Sequence, residues 1–244
     1  MQVADRIGSQ GAALTTAERR VAEVVLARPQ LVAFGTVAEL AAQLRPAAER
    51  IREPAGADLT TRHQQLEVAN VHASLRAVSA ETLAAVVDHL ADRDARVFVL
   101  SGDASRGVAL QFVGDLGSLR DDVTLIDGNP IAVRRQAALL HAGDVLLTLD
   151  LRRYERWVVD VAQSARAAGV WSVALTDSVL SPLAQIADAT VVLAAAGSGP
   201  FDSHTGTLAV FDLFVSAVAD RLRAHATERL DRLEAVWREV LTDR

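Results

Sequence analysis

The sequence predicts an α/β fold, a doubly wound five-stranded parallel sheet with helices on both faces, preceded by a helical region. Three observations carry this prediction. Five short apolar runs recur between residues 95 and 193, with little polar alternation, as strands buried on both faces require. Helix-length segments lie at 105–118, 130–141, 154–168 and 181–187. Residues 1 to about 92 hold no such run and read as helix throughout.

The elements follow in order. Thr15-Thr16-Ala17-Glu18 sets threonine and glutamate at capping-box spacing, ahead of Val21, Val24 and Val25, and Pro29 stops that helix. Thr36-Val37-Ala38-Glu39 is a second box, followed by Leu40, Ala41 and Leu44. Pro46 and Pro54 punctuate a stretch rich in arginine and glutamate. Thr60 to Leu75 and Ser79 to Ala91 read as two further helices on their apolar spacing. The five strands are expected at 96–100, 123–126, 145–149, 170–176 and 189–193. Successive β-α units imply right-handed crossovers, so a ligand belongs at the carboxyl ends of the strands. Thr205 to Arg223 is apolar on most sides and is expected to be buried. Leu230, Leu233, Val236, Trp237, Val240 and Leu241 form a narrower stripe, which either closes the domain or contacts a second subunit.

Composition excludes several classes. The chain has 244 residues, a net charge of −6 and 50% hydrophobic residues, enough for a sizeable core. Cysteine is absent, which excludes disulfides, thiol nucleophiles and cysteine-bound zinc. All 25 basic residues are arginine, which excludes lysine Schiff-base chemistry and fits the codon usage of a GC-rich bacterium. No apolar run has transmembrane length and the N-terminus carries no signal-peptide core, so a cytoplasmic protein without membrane contact is expected. The negative charge argues against a globally basic nucleic-acid coat. The six histidines show no metal spacing, and neither a phosphate loop, a dinucleotide fingerprint nor a nucleophile elbow is present. Neither a metal nor a cofactor is expected.

The candidate site residues lie at strand ends. Ser101-Gly102-Asp103-Ala104-Ser105 is a small-residue turn entering a helix, whose N–H groups suit an anion, with Arg106 and Arg120 as neighbours. Ser105 serves equally as an N-cap and Gly102 as a turn residue. Asp150-Leu151-Arg152-Arg153-Tyr154 places two guanidiniums at the sheet mouth, where they grip an anion or pair with Asp150 or Glu155. Ser181-Pro182 reads as a helix start. Ser203 or His204 reaches the site from the loop before the last long helix, or else Asp202 or Ser203 caps that helix.

Residues 95–223 resemble a SIS (sugar isomerase) domain, a three-layer αβα fold. The most specific match is Thr176-Asp177-Ser178-Val179-Leu180-Ser181-Pro182-Leu183-Ala184-Gln185-Ile186-Ala187-Asp188. Residues 14–44 resemble the start of the small all-α helix-turn-helix domain of RpiR/MurR-type transcriptional regulators. The resemblance divides the chain into a shortened helix-turn-helix-like domain (1–45), a linker and helix (46–78), a SIS domain (79–226) and a C-terminal helix (227–244). It implies a bacterial regulator that binds operator DNA as a homodimer or homotetramer, without catalysis. The effector it implies is a phosphorylated sugar or related carbohydrate derivative, and the strand-end residues expected to hold it are Ser101, Gly102, Ser105, Arg152, Arg153, Tyr154, Ser203 and His204.

The sequence departs from the family pattern in three places. Ser101 and Asp103 replace the glycines of a G-x-G-x-S loop. Asp150-Leu151-Arg152-Arg153-Tyr154 replaces an S-x-S-G-x-T loop. After Leu44 the chain passes directly to Arg45-Pro46, which leaves out a turn and recognition helix of about twenty residues. Two alternatives follow. One is a SIS-domain sensor that does not read DNA. The other is a sugar-phosphate aldose–ketose isomerase with Glu155 or His204 as base.

Overall fold

The computed structural model describes residue 7 and residues 14–27, 58–152 and 154–240. The second capping box at Thr36, the proline-punctuated stretch, the shortened segment after Leu44 and Arg153 lie outside the described residues.

Helix α1 (Thr16–Ala27) starts on its predicted capping box. The Glu18 N–H donates to Thr15 Oγ1 at 3.3 Å, and the Thr15 N–H donates back to Glu18 Oε2 at 2.9 Å. Asp58 caps α2 (Leu59–Arg76) and Ser79 caps α3 (Ala80–Leu90), each accepting an N–H three residues on.

The alternating part follows as β1 (Val97–Ser101), a 3₁₀ turn (Asp103–Ser105), α4 (Arg106–Leu119), β2 (Val123–Ile126), α5 (Pro130–Ala138), β3 (Val145–Leu149), α6 (Arg156–Ala167), β4 (Trp171–Thr176) and β5 (Ala189–Val192). Helices α7 (Thr205–Arg221) and α8 (Arg223–Val240) complete it. All strand pairs are parallel, in the order β2-β1-β3-β4-β5. That order reverses at β1, so the ligand crevice is expected between the carboxyl ends of β1 and β3.

The strand period of two splits the core into two layers. Val97, Val99, Leu147 and Leu175 face α3, α4 and α7, where Phe112 and Phe211 stack with centroids 4.3 Å apart. Phe98, Leu100, Leu146 and Ala174 face α5 and α6. The three-layer αβα prediction therefore holds, with strand limits within one residue of those expected.

One predicted helix is absent. Residues 181–187 form a run of turns. The Leu183 N–H donates to Ser181 Oγ at 3.2 Å, so the expected capping bond is made, but the segment is too short to offset helix nucleation before β5 begins. The last long helix is also interrupted at Leu222, between α7 and α8.

Helix α2 is held by polar side chains where apolar packing was expected. Asn70, 2% exposed, donates to Ala196 O at 2.8 Å and accepts the Ala196 N–H at 3.2 Å. Ser74, fully buried, accepts the Ala194 N–H at 2.9 Å. The two residues pair with the chain after β5 as a strand edge would, and so satisfy its backbone. Helix α7 crosses close by at Gly206. A Cβ there would stand 3.0 Å from both Ala194 O and Asn70 O, so only glycine permits the approach.

Candidate functional site

Three loops meet at the β1–β3 switch point. The first follows β1. Ser101 is its last strand residue and is 5% exposed. The Gly102 N–H continues the sheet by donating to Leu149 O at 3.1 Å. A Cβ on Gly102 would lie 2.6 Å from Asp150 Oδ1 and 3.0 Å from Glu155 Oε1, so the missing side chain makes room for two carboxylates. Ser105 is 1% exposed and starts α4, but its hydroxyl makes no capping bond.

The second loop follows β3. Asp150, 4% exposed, accepts the Glu155 N–H at 2.7 Å. Burial pushes its carboxyl up to about 6, against that N–H bond, and the charges of Glu155 and Asp177 add to the rise. Arg152 has left-handed backbone, with φ +57°. Its N–H donates to Asp177 Oδ1 at 2.9 Å, and its Nε lies 3.1 Å from Asp202 Oδ1. Neither Asp150 nor Glu155, the partners considered from the sequence, pairs with it. The Tyr154 hydroxyl also donates to Asp177 Oδ1, at 2.9 Å. Burial, then the charges of Asp177 and of Glu23 on α1, raise the Tyr154 pKa, so it stays a donor. Asp177, which follows β4, thus anchors this loop through two bonds.

The third loop precedes α7. Ser203 accepts the Thr205 N–H at 3.2 Å, but His204 holds the N-cap position of α7 and makes no side-chain capping bond. Ser203 also donates to Glu67 Oε2 of α2 at 2.5 Å, a contact that spacing along the sequence does not reveal. His204 is half-buried and bonds the backbone of Ala104, with Thr207 Oγ1 3.5 Å from its Nδ1. Burial lowers its pKa, so the ring favours its neutral form. The structure therefore brings Ser101, Gly102, Ser105, Arg152, Tyr154, Ser203 and His204 to one end of the sheet.

The two arginines expected near the first turn part company. Arg106 lies at the rim, paired with Asp127 at the end of β2. Arg120 lies at the far end of α4, 1% exposed, and donates to Leu90 O and Asp92 O at 2.7 Å. Fourteen residues of helix separate it from the turn, about 21 Å. Its guanidinium satisfies backbone carbonyls and belongs to no site.

A cavity of about 700 Å³ opens beside this junction, between α5 and α6. Ser101, Asp103 and Glu155 line it from the loops, and Arg134, Trp157 and Asp160 from α5 and α6. Its size suits a small metabolite. The sequence marks Glu155 only as a partner for Arg152 or a base. Here its Oε1 accepts the Asp103 N–H at 2.5 Å, and its Oε2 accepts the Trp157 indole N–H at 2.5 Å. Among the described residues, no cluster of acidic and histidine side chains is arranged to hold a metal, and no helix is long and apolar enough to cross a membrane.

Comparison with known proteins agrees with this fold. A family model described as "SIS domain" matches residues 89–217. The sugar isomerase domain of an RpiR transcription factor from Sphaerobacter thermophilus is similar at 28% identity and TM-score 0.67, over 72% of this chain and 97% of that one. The Vibrio vulnificus NanR protein complexed with ManNAc-6P shares the fold at 18% identity and TM-score 0.69, over 99% and 100%. A ligand-bound protein from Escherichia coli CFT073 does so at 19% identity and TM-score 0.57, over 68% and 90%. No curated protein matches the chain.

Proposed function

The chain belongs to the SIS domain family, and from that premise we propose that it is a bacterial ligand-sensing transcriptional regulator of the RpiR type. Its effector is a carbohydrate derivative, bound at the carboxyl ends of β1 and β3. One observation carries the reading. The cavity of about 700 Å³ lies between α5 and α6, beside the point where the strand order reverses and with Ser101 alone of the expected site residues in its lining, in a chain 28% identical to an RpiR sugar isomerase domain. The phosphorylated effector implied by the resemblance is the first compound class to test.

In this reading the site performs no chemistry. Glu155 accepts the Asp103 and Trp157 N–H groups, which fixes its carboxylate at the turn after β1. A panel of sugar phosphates incubated with the protein should show no aldose–ketose interconversion.

The bonds also supply a route for regulation. The loop after β3 joins the loop before α7 through Arg152 and Asp202. The next residue, Ser203, bonds Glu67 of α2, the helix nearest the N-terminal region. Arg19 of α1 donates to Leu180 O at 2.5 Å, near the end of β4. Ligand that favours one arrangement of the site loops shifts the populations of α1 and α2 with it.

The output is operator DNA bound by a homo-oligomer. The exposed Val236, Trp237 and Val240 on α8 offer an apolar stripe for subunit contact. Gel shifts with DNA flanking the encoding gene, with and without carbohydrate ligands, test this output. Salt-sensitive binding is expected, and its absence in every condition overturns the DNA-reading part. The shortened segment after Leu44 favours a second reading, a sensor that acts without reading DNA itself.

A further inference from the structure

We propose that Glu155 is a specificity-determining residue: its carboxylate fills the donor cluster of the turn after β1, and the ligand of the adjoining cavity is a polyhydroxylated carbohydrate derivative that brings no phosphate to that turn. This rests on the ligand-sensing reading above and narrows its ligand class.

The turn from Ser101 to Ser105 leads into α4, and such a turn presents backbone N–H groups and a positive dipole end. The Asp103 N–H points there, but it is already bonded to Glu155 Oε1 at 2.5 Å. The second oxygen of Glu155 takes the Trp157 indole N–H at 2.5 Å. An internal anion therefore occupies the position an external one needs. Behind it stands Asp150, 4% exposed, with Oδ1 only 2.6 Å from where a Gly102 Cβ would be.

Arg134, which also lines the cavity, bonds neither Glu155 nor Asp150, and the other neighbouring cations are already paired. Arg106 is paired with Asp127, and Arg152 with Asp202. Among the described residues, no guanidinium bonds Glu155 or Asp150. A phosphate monoester carries a charge of about −2 and offers oxygens that mostly accept. At this turn it meets Glu155, Asp150 and Asp103 together, an arrangement of like charges that disfavours it.

The same walls suit hydroxyl groups. Asp103, Asp127, Glu155 and Asp160 line the cavity, and carboxylates accept O–H donors. Trp157, 36% exposed, offers an apolar face for the ring of a sugar and an indole N–H at its edge.

The test uses the full chain and two variants, Glu155→Ala and Glu155→Gln, with thermal melts to confirm folding. Phosphorus NMR titration with inorganic phosphate should show affinity rising about tenfold or more in Glu155→Ala, with a smaller gain in Glu155→Gln, which keeps the shape and loses the charge. Calorimetry should show the wild type preferring glucose or glucosamine over their 6-phosphates, and Glu155→Ala narrowing that preference. Tighter binding of the 6-phosphates by the wild type, or unchanged phosphate affinity in both variants, overturns the inference. If no sugar of either kind binds while the phosphate gain in Glu155→Ala persists, the ligand-sensing reading has failed and the assignment of Glu155 to the anion position stands.

Discussion

Arg152 Nε lies 3.1 Å from Asp202 Oδ1, and this pair joins the loop after β3 to the loop before α7. Both side chains are partly exposed, so the pair's own contribution is modest, about 0.2–1 kcal/mol. Its consequence is positional. Arg152 adopts left-handed backbone at φ +57°, held by its N–H bond to Asp177 Oδ1. Two constraints therefore fix one residue at the mouth of the sheet.

Replacing Arg152 separates the two constraints. Arg152→Gly removes the ion pair and relieves the left-handed backbone, and these nearly offset, so stability should stay within about 1 kcal/mol of wild type. Arg152→Val should cost about 1–2 kcal/mol more, because a β-branched residue resists positive φ. Denaturant melts of the two variants measure the difference. In both, hydrogen exchange at residues 202–204 should quicken.

Asp150 makes stability depend on pH. Its carboxyl titrates at about 6 in the fold against an ordinary 3.8. The folded state therefore holds the proton more tightly than the unfolded state. That stabilisation is fully present below about pH 4 and is lost as pH rises through about 6. Asp150→Asn, which keeps an acceptor for the Glu155 N–H, should gain up to about 3 kcal/mol over wild type at pH 7.5 relative to the comparison at pH 4. Melts of both proteins across this range should diverge as pH rises, and parallel curves would show that Asp150 is not buried as described.

Asn70 carries the contact between α2 and the chain after β5. Asn70→Ala leaves the Ala196 N–H and C=O without partners and should cost about 1–3 kcal/mol, a drop of several degrees in a thermal melt. Asn70→Asp keeps the acceptor but sets a buried carboxylate against Ala196 O and Glu67, so it should recover none of the loss at neutral pH.

Gly206→Ala tests the crossing of α2 and α7 from the other side. The new methyl meets backbone oxygens at 3.0 Å, which cannot swing aside as a side chain can. A cost of about 1–3 kcal/mol is expected, although alanine is the better helix former. A neutral effect would mean that the two helices do not approach this closely.

The sheet was legible in the sequence because strands buried on both faces leave uninterrupted apolar runs, such as Val145–Leu149, whose five residues are all buried. Helix starts were legible where a short polar side chain caps them, as at Thr15 and Ser79. Tertiary partners were not. The acids nearest to Arg152 in sequence are Asp150 and Glu155, yet its partner is fifty residues away at Asp202, a pairing set by the loops' common end of the sheet. Asn70 and Ser74 look like ordinary polar positions on a solvated helix face, and only their long-range bonds identify them as buried anchors. Helix length alone excludes Arg120 from the site, since α4 carries it to the opposite end of the sheet. The site end itself followed from the topology, whereas the role of Glu155 required side-chain geometry.

The most direct measurement is a nitrogen–proton NMR titration of the full chain with glucosamine and with other carbohydrates. Three tryptophans give three indole signals, and Trp157 alone lines the cavity. Binding between β1 and β3 should shift the Trp157 indole and the Asp103 amide, both of which donate to Glu155, while Trp171 and Trp237 stay in place. Binding that moves the Trp171 or Trp237 signals and leaves Trp157 and Asp103 unchanged would place the ligand elsewhere and contradict a site at the strand ends.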